Sequence, residues 1–167
     1  EAHQRERLHA LLATAVTRSP FHARRLGGID LRGLDPTDLS ALPVMTKAEM
    51  MDELDDVFTD RRLSRPLVEA TLARTGTEPR PILDEYVAFT SGGSSGRRGV
   101  FVFDPPGFGQ FLGSLSRGLY ARIQQTGGPP PGGLPIAMVA AGSAVHPTGG
   151  ATRFAGGRLP FRFTPVP

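Results

Sequence analysis

VAFTSGGSSGRRGVFVF, residues 87–103, sets two apolar runs rich in Val and Phe on either side of nine residues, Ser91 to Gly99, all of them glycine, serine or arginine. β-Branched and aromatic residues bounded by Gly, Asp and Pro predict strands over 86–89 and 100–103. The simplest arrangement is a loose hairpin, or strand, loop, strand. About two to five residues suffice to close a hairpin, so nine need a reason beyond reversing the chain. Glycines at 92, 93, 96 and 99 allow positive φ and let backbone amides converge, which is how an anion-binding nest is built. Thr90, Ser91, Ser94 and Ser95 add hydroxyl donors, and Arg97 and Arg98 add guanidinium forks suited to phosphate oxygens. All these donors suit one kind of ligand, a phosphate chain. A Walker A loop is excluded, because no Lys follows a glycine and a strand follows the loop. The G-x-G-x-x-G dinucleotide pattern is absent, and β character stands where that motif needs a helix. Composition alone also fits a flexible turn with no ligand.

Outward from this loop, the period of the apolar residues changes. Before it the signals are helical. Leu8, Leu11, Leu12, Ala15 and Val16 form an amphipathic stripe that Ser19-Pro20 stops. A short second helix follows through FHARRLGG, residues 21–28. Asp35-Pro36 offers an N-cap and a first-turn proline for PTDLSAL. In MTKAEM, Thr46 caps, Glu49 completes a capping box and Met45 is placed to staple onto Met50, starting a helix expected to run to about Phe58. SRPLVEATLART, residues 64–75, reads as another helical or mixed segment. After the loop, Asp104-Pro105 caps a helix whose Phe108, Phe111, Leu112, Leu115 and Leu119 keep a helical period. QQTGGPPPGG reads as a surface linker, and LPIAMVAAGS beyond it as a fully buried strand of the same sheet. The fold class expected is α/β: a helical N-terminal annex over 1–80, then the first strands and helix of a sheet domain over 81–167.

Composition narrows the function classes. The 167 residues match one domain, and 39% hydrophobic with 21% charged residues describe a soluble globular chain rich in loops, with 21 Gly and 16 Pro. No apolar run is long enough to span a bilayer, and EAHQRERLHALLATAV is too charged for a signal peptide. The absence of cysteine excludes disulfides and thiol chemistry, and the cytoplasm is the expected compartment. The net charge of +3 is spread along the chain without a basic block, Lys47 being the only lysine, so no nucleic-acid partner is expected. The chain starts at Glu1 without Met and stops in RLPFRFTPVP, which reads as a piece of something longer. His3, His9 and His22 are too scattered for a metal site. Asp52, Glu53, Asp55 and Asp56 form an acidic helix face, read as solvated surface and not as a Mg²⁺ site. Ser94 and Ser95 lack the G-x-S-x-G elbow of a serine hydrolase.

FTSGGSSGRRGVFVF resembles the phosphate-binding loop of the adenylate-forming, AMP-binding superfamily, whose usual form is T-S-G-[ST]-[ST]-G-x-x-[KRG]-G-V between two strands. LSALPVMTKAEMMDEL, residues 39–54, is similar to the LP-x-[TF]-T-K-x-[DE]-[LM] stretch of the phenylacetate-CoA ligase-like branch. RLHALLATAVTRSPFHARRL, residues 7–26, resembles that branch's first helices, which often carry SPFYR. The three features occur in the family's order over residues 5–104. AAGSAVHPTGG resembles the strand and P-L-x-H turn that help line the family's acyl pocket, which would put His146 there; an unpaired histidine beside a proline is more often a turn residue.

The resemblance implies an N-terminal part of an acyl-CoA synthetase-like enzyme. ATP and a carboxylate give an acyl adenylate and pyrophosphate, and a thiol, usually that of CoA, then takes the acyl group. The loop would grip the outer phosphates of ATP with Mg²⁺, so phosphate binding is carried onto Thr90, Ser91, Gly92, Gly93, Ser94, Ser95 and Gly96, with Arg97 and Arg98 as charge partners. Two alignments of the loop remain open, one starting at Thr90-Ser91-Gly92 and one using Gly93-Ser94-Ser95-Gly96. The family's frequent loop lysine is missing, and arginine replaces its charge but not its compact geometry. The adenine-contacting, ribose-binding, hinge and C-terminal catalytic elements have no counterpart before Pro167. No catalytic residue is therefore assigned, and this segment alone is expected to be inactive. The expected partner is a small-molecule carboxylate, with no nucleic acid, no membrane and a homodimer left open. A non-catalytic nucleotide-binding remnant and a structural α/β module remain as alternatives.

Overall fold

Thr46 shows how far local chemistry sets this fold. Its hydroxyl accepts the Glu49 amide at 3.2 Å, while the Glu49 carboxylate takes the Thr46 amide at 2.7 Å. This reciprocal box starts α3, Lys47–Asp52. The structure, a computed structural model, describes residues 2–92, 98–128, 134–138, 142–154 and 161–165. The chain forms two compact units, residues 1–67 and 68–167.

In the first unit α1, Ala2–Arg18, is followed after Ser19 by α2, Pro20–Leu26. Leu12 and Leu26 are buried with Leu34, and Leu8, Val16, Ile29, Leu31 and Leu42 pack against them. Leu11 departs from the expected stripe: it is 66% exposed. The helix expected to continue to Phe58 breaks at Glu53, whose φ of −113° and ψ of 31° are not helical, and resumes as α4, Leu54–Val57. Around Asp35-Pro36 there is a turn in place of the expected helical one. The Asp35 carboxylate takes both the amide and the hydroxyl of Thr37, which closes the chain on itself before a helix can propagate. Met45, the expected staple, stays 40% exposed.

Arginines of α2 hold the second half of this unit. Arg24 pairs with Glu53 and Asp56. Arg25 donates to the Val44 carbonyl at 2.6 Å, approaches Glu49 and lies over the Phe21 ring. Within the acidic run of residues 52–56, Glu53 and Asp56 are thus paired with arginine. Among the described residues no group of three or more His, Asp or Glu side chains is placed to hold a metal ion.

The second unit includes most of α5, Arg65–Ala73, and then the strands. β1, Val87–Thr90, and β2, Val100–Phe103, pair antiparallel with Val87 opposite Phe103 and Thr90 opposite Val100. This is the hairpin expected from the sequence. α6, Pro105–Gln125, starts where Asp104 caps it, its carboxylate taking the Gly107 amide at 2.7 Å. Phe108 stacks on Phe89 at 5.0 Å between ring centroids, and Phe103 and Phe111 complete an aromatic cluster between helix and hairpin. A helix of 21 residues is about 31 Å long, whereas four-residue strands span about 13 Å. The hairpin therefore covers only the first turns of α6, and Leu115 beyond it is 63% exposed.

One sheet assignment is corrected. β3, Leu134–Met138, does not join β1 and β2; it pairs in parallel with β4, Phe161–Pro165, to form a separate two-stranded sheet. A parallel pair needs a crossover, and α7, Pro147–Phe154, lies within it. The class is mixed α/β. No helix among the described residues is long and apolar enough to cross a membrane.

Candidate functional site

The hairpin end is built from three consecutive residues, the last two of β1 and Ser91 just beyond it, that each engage a different partner. Phe89 is fully buried and anchors the strand in the aromatic cluster. Thr90 turns its amide away from β2 and donates it to the Val145 carbonyl at 2.7 Å, with its hydroxyl 3.4 Å from the same oxygen. Ser91 turns back toward β2: its amide donates to the Gly99 carbonyl at 2.9 Å, and its hydroxyl accepts the Gly99 amide at 2.8 Å. In the last rung of this ladder a side-chain oxygen stands where the Ser91 carbonyl ordinarily would. The two ends of the glycine, serine and arginine segment are thereby pinned together, and Gly92 and Arg98 follow as exposed residues on either side.

The neck commits the hydroxyls only in part. A serine hydroxyl has one proton to donate and two lone pairs, and the Gly99 amide uses one lone pair. The Ser91 O–H proton is not consumed by that bond. The Arg98 guanidinium is a permanent cation whose planar donor fork suits phosphate oxygens. Of the candidate residues, Thr90, Ser91, Gly92 and Arg98 come together at this hairpin end. Gly93, Ser94, Ser95, Gly96 and Arg97 lie outside the described residues.

His146 sits in the turn that meets β1. Its amide donates to the Ser143 carbonyl at 3.0 Å, and its own carbonyl accepts the Gly150 amide at 2.9 Å, the first helical bond of α7. Its Nδ1 lies 2.7 Å from the Thr148 hydroxyl and accepts the Thr148 amide at 3.4 Å. The half-buried ring thus caps the helix. His3 and His9 lie on α1 and His22 on α2.

Against family models, curated proteins and solved structures, the chain finds no match. The geometry of the hairpin end is what bears on function.

Sequence reasoning missed two participants. The Val145 carbonyl has no sequence signature, because any residue supplies one. Gly150 had a signal: a glycine inside a short helix costs about 1 kcal/mol relative to alanine, which calls for a packing reason. That reason is Phe89. A Cβ at Gly150 would overlap Phe89 Cε1 and sit 2.8 Å from Cζ.

Proposed function

We propose that the chain contributes the phosphate-binding loop of an ATP-dependent carboxylate-activating enzyme, an acid–thiol ligase of the AMP-forming type that resembles phenylacetate-CoA ligases. Acyl adenylate formation would be followed by thioester formation, with CoA as the acceptor. One observation carries the reading: the Ser91–Gly99 clasp closes the neck of the hairpin, so a donor-rich segment starts and ends at one fixed point. Fixing donors before the ligand arrives removes part of the ordering cost of gripping a flexible polyphosphate.

The donor chemistry suits such a ligand. Backbone amides, the Ser91 hydroxyl proton and guanidinium groups all donate, and no carboxylate stands within the loop segment to repel an anion. Neutralising the outer phosphates is what an adenylation step needs while the carboxylate attacks the α-phosphorus. Mg²⁺ would ride on the phosphate oxygens and its own waters rather than in a protein cage.

Two measurements test this. Binding of ATP and of inorganic tripolyphosphate to the chain, followed by calorimetry, is expected to weaken at least about tenfold in Arg97→Ala and in Arg98→Ala, the weight of a charge-assisted hydrogen bond. A longer chain carrying this segment is expected to catalyse carboxylate-dependent ATP/pyrophosphate exchange with one of a panel of aryl and aliphatic acids. Unchanged affinity in both variants, together with no exchange, leaves the hairpin as a structural turn. That second reading, a structural α/β module, is favoured by the engagement of the Thr90 and Ser91 hydroxyls within the protein itself.

A further inference from the structure

Resting on the phosphate-loop reading, we propose that the Ser143–Gly150 segment braces the loop's neck, with Gly150 and His146 as positioning residues that set the grip of the loop without touching its ligand. The two attachments lie on adjacent residues. Thr90 is bonded to the Val145 carbonyl through its amide, and Phe89, one residue earlier, lies directly against Gly150. Ser91, one residue later, carries the clasp to Gly99.

The brace is itself built to keep its shape. The Ser143 carbonyl takes the His146 amide at 3.0 Å, and the Ser143 hydroxyl accepts the Val145 amide at 3.4 Å, so the turn presents the Val145 carbonyl outward to Thr90. His146 then fixes the direction of α7 by capping it through Nδ1. Gly150 and Phe89 set the distance. Phe89 is fully buried and stacked on Phe108, so it has no room to yield to a Cβ at position 150. The helix must move instead, and it carries Val145 with it. A displacement large enough to relieve the overlap takes the Val145 carbonyl out of hydrogen-bond range of Thr90. The strand end then loses its lateral support immediately beside the clasp.

The experiment reads two quantities in the same set of variants: amide hydrogen exchange at Ser91 and Gly99, and affinity for inorganic tripolyphosphate. Gly150→Ala is expected to speed exchange at Ser91 and Gly99 by about tenfold, the weight of one lost hydrogen bond, with little change at Val87 and Phe103. Adding Phe89→Leu, which removes the ring that the new methyl meets, is expected to restore slow exchange. His146→Ala is expected to act in the same direction, and His146→Asn, which keeps a capping acceptor, to recover the parent value. If Gly150→Ala does not fold, the His146 pair decides alone. Exchange at the neck that stays at the parent value in folded variants overturns the brace, as does a uniform rise across both strands. Arg98→Ala separates the two ideas. Weaker tripolyphosphate binding in Arg98→Ala with unchanged binding in Gly150→Ala or His146→Ala removes the brace's role in the grip and leaves the loop reading intact. Unchanged binding in both Arg97→Ala and Arg98→Ala, together with no ATP/pyrophosphate exchange, removes the phosphate reading, while the amide-exchange data still decide whether the brace exists.

Discussion

At the neck of the hairpin the Ser91 hydroxyl replaces a main-chain carbonyl, and the donor it satisfies, the Gly99 amide, belongs to a buried residue. Removing one partner of a buried hydrogen bond leaves the other unsatisfied at about 1–3 kcal/mol. Ser91→Ala is therefore expected to destabilise the protein by about that amount, and Ser91→Thr, which keeps the oxygen on a β-compatible residue, to recover most of it. Urea unfolding of the two variants checks the difference. The two strands were legible in the sequence from their Val and Phe content, but the clasp was not. Which of several serines meets a backbone amide depends on strand register, and register is a property of two segments. Leu83 and Asp84 were also illegible: both adopt left-handed backbone, with φ of 54° and 57°, in a stretch without glycine. The buried side chain of Ile82, with its bridge to Tyr86, fixes the turn around them. Tertiary anchoring there overrides a local steric preference.

Between elements, Ser19 shows what a local motif conceals. As an N-cap it accepts the His22 amide, where the Ser-Pro pair read only as the stop of the first helix. Its hydroxyl also donates to the Asp56 carbonyl at 2.8 Å, at a site where the residue is 1% exposed. Ser19→Ala removes both and is expected to cost about 1–3 kcal/mol, measured as a lower denaturation midpoint of residues 1–67. The same contrast explains which parts of the fold were readable. The Thr46 box, the Asp104 cap and the β1–β2 hairpin depend on residues a few positions apart, and each stands where the sequence put it. The partner of β3 is β4, beyond a crossover, and no pattern within LPIAMVAAGS encodes that choice. The hairpin end was legible to the same extent: its strands from composition, its bond to Val145 from nothing nearer than fifty residues along the chain, since Thr90 and Val145 are 55 apart.

At the scale of the whole molecule, three carboxyls and a histidine of residues 1–67 bind protons less readily than usual. Hydrogen bonds from the backbone and hydroxyl of Thr46, with the charge of Arg25, hold the Glu49 carboxyl below its usual 4.5. Bonds from Thr37 do the same for Asp35, and bonds from Ser40 for Asp38, each below 3.8. Burial, then the charge of Arg25, lowers His22 below 6.5. In all four cases the unfolded chain binds the proton more readily than the folded one, so stability rises with pH. The contribution of His22 is complete above about pH 6.5 and fades as pH falls below it; those of Glu49, Asp35 and Asp38 fade below about 4.5 and 3.8. Residue-resolved hydrogen exchange at pH 7, 5 and 4 is expected to show residues 1–67 loosening before the β1–β2 hairpin. Glu49→Gln is expected to flatten the part of that dependence that falls below about pH 4.5. The chain's connectivity also imposes an order in time. The β1–β2 ladder closes over the nine residues 91–99, whereas β3 and β4 are separated by twenty-two, 139–160, including a helix that must form on the way. Short closures reward the chain sooner than long ones. Pulse labelling during refolding is expected to find Val87–Phe103 protected ahead of Leu134–Met138, so the nascent loop waits, half supported, for a helix that the ribosome delivers some fifty codons later.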